Sequence, residues 1–349
     1  MICAIDFGSC WIRSVFRNPT ISDRLTMYAE KAEYAVVADT EQHKQTLLDQ
    51  QIPFAECEGS LVVAGNAAVN ARWLSRVPCA PLFADGIVPS DDPPARQILG
   101  LLTEAILPPP RGKQNLCAVT VPGLQDGSAR AIRNEEFLCR LVRMRGYKPL
   151  IVAPAEAAML AAGNDASFTG ISIVMGAETT NIAVARYGSI LACETLEIGS
   201  NWIDSEIARQ FQVQVWDESG NTYLDLDSIR QWKVKTEIHL GAAIGDRERM
   251  MSRLYSVVLD RVSRTVALLL ASAPVRNALP RPGLSVILAG GATQADGFIN
   301  LLTDRFIEHE IADKIFSIRV AQDPMTAVVR GGLIFGELEA RSLPVEKVA

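Results

Sequence analysis

Three glycine turns, each closing an apolar run, constrain the fold of this chain more than any other feature: DFGSC at residues 6–10, GAETT at 176–180 and AGGAT at 289–293. The runs before them have the length and β-branched content of buried strands. Glycine lets the main chain approach a ligand with no Cβ in the way, and successive amides in such a turn can converge on an anion. Asp6 at the head of the first turn sets a carboxylate beside that point, suited to a hydrated magnesium ion. A single strand-ending glycine more often serves turn geometry alone. Three such turns in series carry more weight.

Around them the periodicity reads as alternating strands and helices, an α/β chain. Apolar runs before and after the first two turns predict hairpins, and their recurrence near residues 6 and 175 suggests an internal duplication. Helices are expected over 41–50, 66–74, 95–106, 128–145, 202–211, 226–240, 246–273 and from 296 and 325 onwards. The prolines of LPPPRGKQN, residues 107–115, exclude a helix or central strand there. Five arginines between 130 and 145 are read as a solvated face paired within the helix to Glu135 and Glu136 rather than as an anion site.

Composition narrows the class. A length of 349 residues allows about two domains, and a net charge of −6 gives no electrostatic reason to expect nucleic-acid binding. No apolar run approaches the ~20 residues of a membrane span, and Asp6 interrupts the opening run before it could serve as a signal peptide. Seven scattered cysteines without a CxxC pair read as reduced thiols of a cytoplasmic protein. The three histidines, His43, His239 and His309, stand apart from the cysteines and from one another, which disfavours zinc or a histidine-based triad.

Taken in order, CAIDFGSCWIRSVF, AVTVPG, IVMGAETTNIAV, SVILAGGATQADGF and VAQDPMTAVVRGGLIFGELE resemble the five motifs of the actin-like ATPase superfamily, in its bacterial MreB/MamK branch. The resemblance implies an actin-like, ribonuclease H-like duplicated fold of two lobes with a nucleotide cleft between them. It implies lobe I at 1–149 with a small insertion at about 22–59, lobe II at 150–322 with an insertion at about 197–245, and a C-terminal helix within 323–349 that packs back on lobe I. Asp6 would hold magnesium; Gly8, Ser9 and Cys10 would face the phosphates from one lobe, and Gly176, Thr179 and Thr180 from the other. Gly290, Gly291 and Ala292 would pack on the adenosine, and Lys233 would lie near the base and ribose. ATP or ADP with Mg2+ is the implied cofactor, and self-association into cytoplasmic filaments the implied behaviour.

Departures from the pattern gather at the chemistry. The acid expected in the second phosphate motif falls at Val174, and Ala177-Glu178 replaces a glycine pair. A carboxylate ~4 Å from a phosphate charge costs about 4 kcal/mol at an effective dielectric of ~20. Asn181 replaces a further acid, the water-polarising position aligns with Ala129, and Val234 stands where relatives often have a ribose-binding acid. One reading is a divergent ATPase in which Glu178, or Gln125 and Asp126, act from shifted positions, making Asp6 and Glu178 the candidate catalytic pair. The other is a fold kept for assembly, its hydrolysis weak or lost, and the double loss favours it. A non-polymerising adaptor is the alternative of a different class; a small-molecule kinase is the least favoured. Direct membrane binding is disfavoured because the loop PPPRGKQN has no apolar pair, with Arg111 and Lys113 its only attraction to acidic lipid.

Overall fold

The computed structural model describes residues 1–17, 24–75, 78–112, 114–123, 127–216, 220–236, 238–278 and 283–342. The chain opens with a meander, β1 (Ile2–Phe7), β2 (Trp11–Arg17) and β3 (Leu25–Lys31). Next come β4 (Glu33–Ala38), α1 (Glu41–Asp49), β5 (Ala55–Cys57), β6 (Ser60–Ala64), α2 (Asn66–Ser75) and β7 (Ala80–Pro81), whose strands make a separate small sheet, β5-β6-β4-β7. Helix α3 (Pro93–Ile106), β8 (Leu116–Thr120), α4 (Ala129–Met144) and β9 (Lys148–Ile151) complete a five-stranded sheet of order β3-β2-β1-β8-β9.

The second half repeats this plan. After α5 (Pro154–Ala162), strands β10 (Gly170–Met175), β11 (Thr180–Arg186) and β12 (Ser189–Leu196) form a meander. Helix α6 (Ser200–Gln210), the ribbon β13 (Gln214–Trp216) and β14 (Thr222–Leu224), α7 (Leu226–Lys235), α8 (Asp246–Ala271) and α9 (Ala273–Ala278) follow. Then β15 (Leu284–Ala289), α10 (Phe298–Glu308) and β16 (Ile315–Val320) close a sheet of order β12-β11-β10-β15-β16, and α11 (Ala327–Ser342) ends the described chain. Both large sheets have two antiparallel pairings followed by two parallel ones. The duplication read from the two hairpins is this shared order.

Alternation along the central strands assigns the faces. Cys3, Ile5 and Phe7 enter one core with α3 and α4, and Ile171, Ile173 and Met175 enter another with α6, α8 and α10. Between the sheets lies a third core of small side chains, in which α11 crosses α5 and packs on β1 and β8. A Cβ at Gly331 would lie 1.7 Å from the Ala157 carbonyl oxygen, so this crossing requires glycine.

Two expected helices end or start elsewhere. Helix α7 stops at Lys235 because Thr236 is extended and His239 bridges to Asp296, with the Leu240 amide donating to the Asp296 carbonyl at 2.8 Å. That bridge also delays α10 to Phe298, after Gly297 at φ +80°. On α4, Arg130, Arg133, Arg140 and Arg143 form no ion pair with Glu135, Glu136 or another of the described residues, which corrects the expected pairing. No described helix is long and apolar enough to cross a membrane.

Candidate functional site

The ends of β1, β10 and β15 open on one cleft of about 760 Å3 between the two large sheets. On the first turn, Asp6 Oδ1 accepts the Thr120 hydroxyl at 2.6 Å, and Oδ2 lies 3.8 Å from the Arg13 guanidinium. Burial pushes the Asp6 carboxyl above its ordinary range, opposed by Arg13 and Thr120. Thr120 and Arg13 are the strand neighbours of Asp6 on β8 and β2, so pairing register alone assembles this cluster.

On the second turn, the Gly176 amide donates to the Thr179 carbonyl at 2.9 Å. The carbonyls of Gly176 and Ala177 accept the amides of Ser200 and Asn201 at the start of α6, at 3.0 and 2.8 Å. Those contacts occupy the turn's oxygens. The amides of Ala177 and Glu178 have no acceptor among the described residues, which is the donor arrangement an anion needs. Glu178 accepts a hydrogen bond from the Asn201 amide group, and burial, with Asp85 nearby, raises its carboxyl despite Asn201 and Arg230. On the third turn Gly290 adopts φ +94°, and a Cβ there would lie 2.1 Å from the Met175 carbonyl oxygen. Strand packing alone therefore requires this glycine.

A wall of paired charges faces these turns. Asp204 on α6 is 1% exposed and contacts the Lys233 ammonium, with Arg230 Nε at 3.7 Å. Burial outweighs both cations in raising the Asp204 carboxyl. Arg13, Arg230 and Lys233 thus bring three positive charges to a cleft that Asp6, Glu178, Asp204 and Asp296 also line. Among the described residues no group of three or more His, Cys, Asp or Glu side chains could hold a metal ion. Asp6 Oδ2 accepts no hydrogen bond among the described residues, so this turn suits a hydrated magnesium held mainly through phosphates rather than a protein cage.

The profile of the Volactin family matches residues 1–335. The chain belongs to the Volactin family. No curated protein matches its sequence. By structure, this Volactin-family chain is similar to the MamK double helical filament, at 14% identity and TM-score 0.69, with 98% of this chain and 99% of that one covered. It is also similar to MreB5 of Spiroplasma citri bound to AMPPNP, at 14% identity, TM-score 0.66 and 97% coverage of both chains. The fold is actin-like, as the five ordered motifs implied.

Within this Volactin-family cleft lie Asp6, Gly8, Ser9, Cys10, Gly176, Glu178, Thr179, Lys233, Gly290, Gly291 and Ala292. Thr180 is the exception. Alternation along β11 turns it to the opposite face from Thr179 and Asn181, and its hydroxyl donates to the Ile198 carbonyl at 2.7 Å. Ala129 is exposed on the first turn of α4 and does not line the cleft. Gln125, Asp126 and Lys113 lie outside the described residues. Arg13, Asn201, Asp204 and Arg230 were missed. Asp204 carried a signal, because it interrupts the apolar stripe of Ile203, Ile207 and Ala208 on α6. Arg13 stands opposite Asp6 in the predicted hairpin, so it too was within reach of the sequence.

Proposed function

We propose that this protein is an actin-like cytoskeletal subunit that self-associates into filaments, binds ATP or ADP in its cleft and hydrolyses ATP weakly or not at all. The observation carrying this reading is the asymmetry between two matched positions. Asp6 pairs with Arg13 and Thr120, whereas its counterpart Val174 pairs with Asn181 and Ala289 and is 5% exposed in the small-residue core. Binding is supported by the unpaired turn amides, by Arg13 and Lys233, and by the AMPPNP-bound MreB5 of like fold. Filament formation is supported by the likeness to the MamK filament over nearly the whole chain.

In this reading Asp6 would hold magnesium, which neutralises phosphate charge when bound. Cys10 and Ser9 would meet the phosphates with their amides, and Ala292 with Gly291 would flank the base. Val174 can neither accept a proton nor orient water, so no residue of the second strand takes the general-base part. Titration with Mg-ATP followed by a phosphate-release assay separates the alternatives. The expected result is saturable binding, weakened about tenfold or more by Lys233→Ala, with no sustained release. Steady turnover abolished by Glu178→Gln would instead establish the divergent ATPase, and a monomer under every nucleotide condition would establish the adaptor.

A further inference from the structure

The two phosphate turns are joined by a circuit of side chains that crosses the cleft mouth. On the first turn, Cys10 Sγ lies 3.6 Å from the Lys31 ammonium, which also sits 4.3 Å above the Trp11 ring. Lys31 lies 3.9 Å from Glu33, at the start of β4 in the small sheet, and Glu33 lies 4.0 Å from Arg230 on α7 of the other half. Arg230 donates to the Asn201 side-chain oxygen at 3.0 Å, and Asn201 donates to Glu178 on the second turn. A second strut runs beside it. Arg72 on α2 meets Asp227 on α7 at 2.8 Å, and Asp227 meets Arg230 at 3.2 Å.

Glu33 is 8% exposed and none of these charged side chains is more than about a third exposed, so screening by solvent is weak along the whole path. Arg230 is the node, facing Glu33 from one half and Asp204, Asp227 and Asn201 from its own. Glu178 supplies, from within the chain, an anion at the turn where a ligand phosphate would otherwise supply one.

We propose that Arg230 is a positioning residue that clamps the two lobes together through Glu33 and the Asp227–Arg72 pair, so that protein groups alone hold the cleft closed, with Glu178 anchoring the clamp at the second turn. The clamp stands on these contacts. Its indifference to nucleotide rests on the binding reading above.

Spin labels carried by noncanonical residues at exposed Leu48 and Trp216, on α1 beside the small sheet and on the β13–β14 ribbon, measure the span of the mouth. The full chain without nucleotide should give one narrow distance distribution, unchanged by Mg-ATP. Arg230→Glu should lengthen and broaden it. Arg72→Glu, on a partly exposed side chain that burdens folding less, should shift it in the same direction. Glu178→Ala should lengthen it, while Glu178→Gln, which keeps an acceptor for Asn201, should not. A broad distribution in the unliganded wild type, or an unmoved one in both Arg230→Glu and Arg72→Glu, overturns the clamp. Failure of the wild type to bind a fluorescent ATP analogue would overturn the function proposed above and leave the unliganded distances to decide the clamp.

Discussion

Glu178 sets a largely buried carboxylate in the second turn. Its carboxyl is raised chiefly by burial, with Asp85 adding to the effect. The folded protein therefore holds that proton more tightly than the unfolded chain does. The cost of the ionised form is fully present above the raised pKa and vanishes as pH falls below the unfolded value of 4.5. Glu178→Gln should accordingly melt above wild type at pH 7, with the gap closing by about pH 4 in a series of thermal denaturations. Adjacent threonines separate structure from binding. Thr180→Val leaves the buried Ile198 carbonyl without its donor, a loss of about 1–3 kcal/mol in urea denaturation, with nucleotide affinity unchanged. Thr179→Val should lower affinity, because its side chain lines the cleft, and lose in addition the hydroxyl that accepts from the Asn181 side chain at 3.4 Å.

At the scale of elements, the crossing of α11 on α5 is the joint between the sheets. Ala155, Ala157 and Ala158 meet Val328, Val329 and Leu333 there, and the helices approach closely because Gly331 presents no side chain. Gly331→Ala forces a methyl into the Ala157 carbonyl, which no rotamer relieves. Its expected cost is about 3 kcal/mol or more, read as a drop in the denaturation midpoint. Gly332→Ala, whose Cβ would meet the Ala4 methyl at 3.3 Å, should cost less. Helix α6 shows how one element joins two tasks: Ile203, Ile207 and Ala208 enter the core, while Ser200, Asn201 and Asp204 face the cleft.

For the whole molecule, the proposed function turns on assembly rather than catalysis. Sedimentation across a concentration series should show a threshold above which the protein pellets, with and without Mg-ATP. A stable monomer at every concentration would defeat the filament reading. In the proposed function, the duplicated architecture would let such a chain lose hydrolysis without losing its fold. Asp6 and Val174 stand at matched strand ends, yet the core beneath them is built from alanine and valine, which tolerates an apolar end and gains from it.

Local chemistry made much of this legible from residues alone. Strand runs closed by glycine turns, their order and their recurrence depend on backbone geometry and hydrophobic period, which neighbouring residues determine. The glycine turns and Asp6 were within that reach, while Val174 stood out only against the motifs that the chain resembles. Only tertiary structure decided what meets those turns. The wall of Asp204, Arg230 and Lys233, and the path from Arg230 to Glu33 and from Asp227 to Arg72, join residues up to 197 positions apart. No local pattern encodes the Glu33–Arg230 and Arg72–Asp227 pairs, which exist only once both halves have formed and α7 faces the small sheet across the cleft.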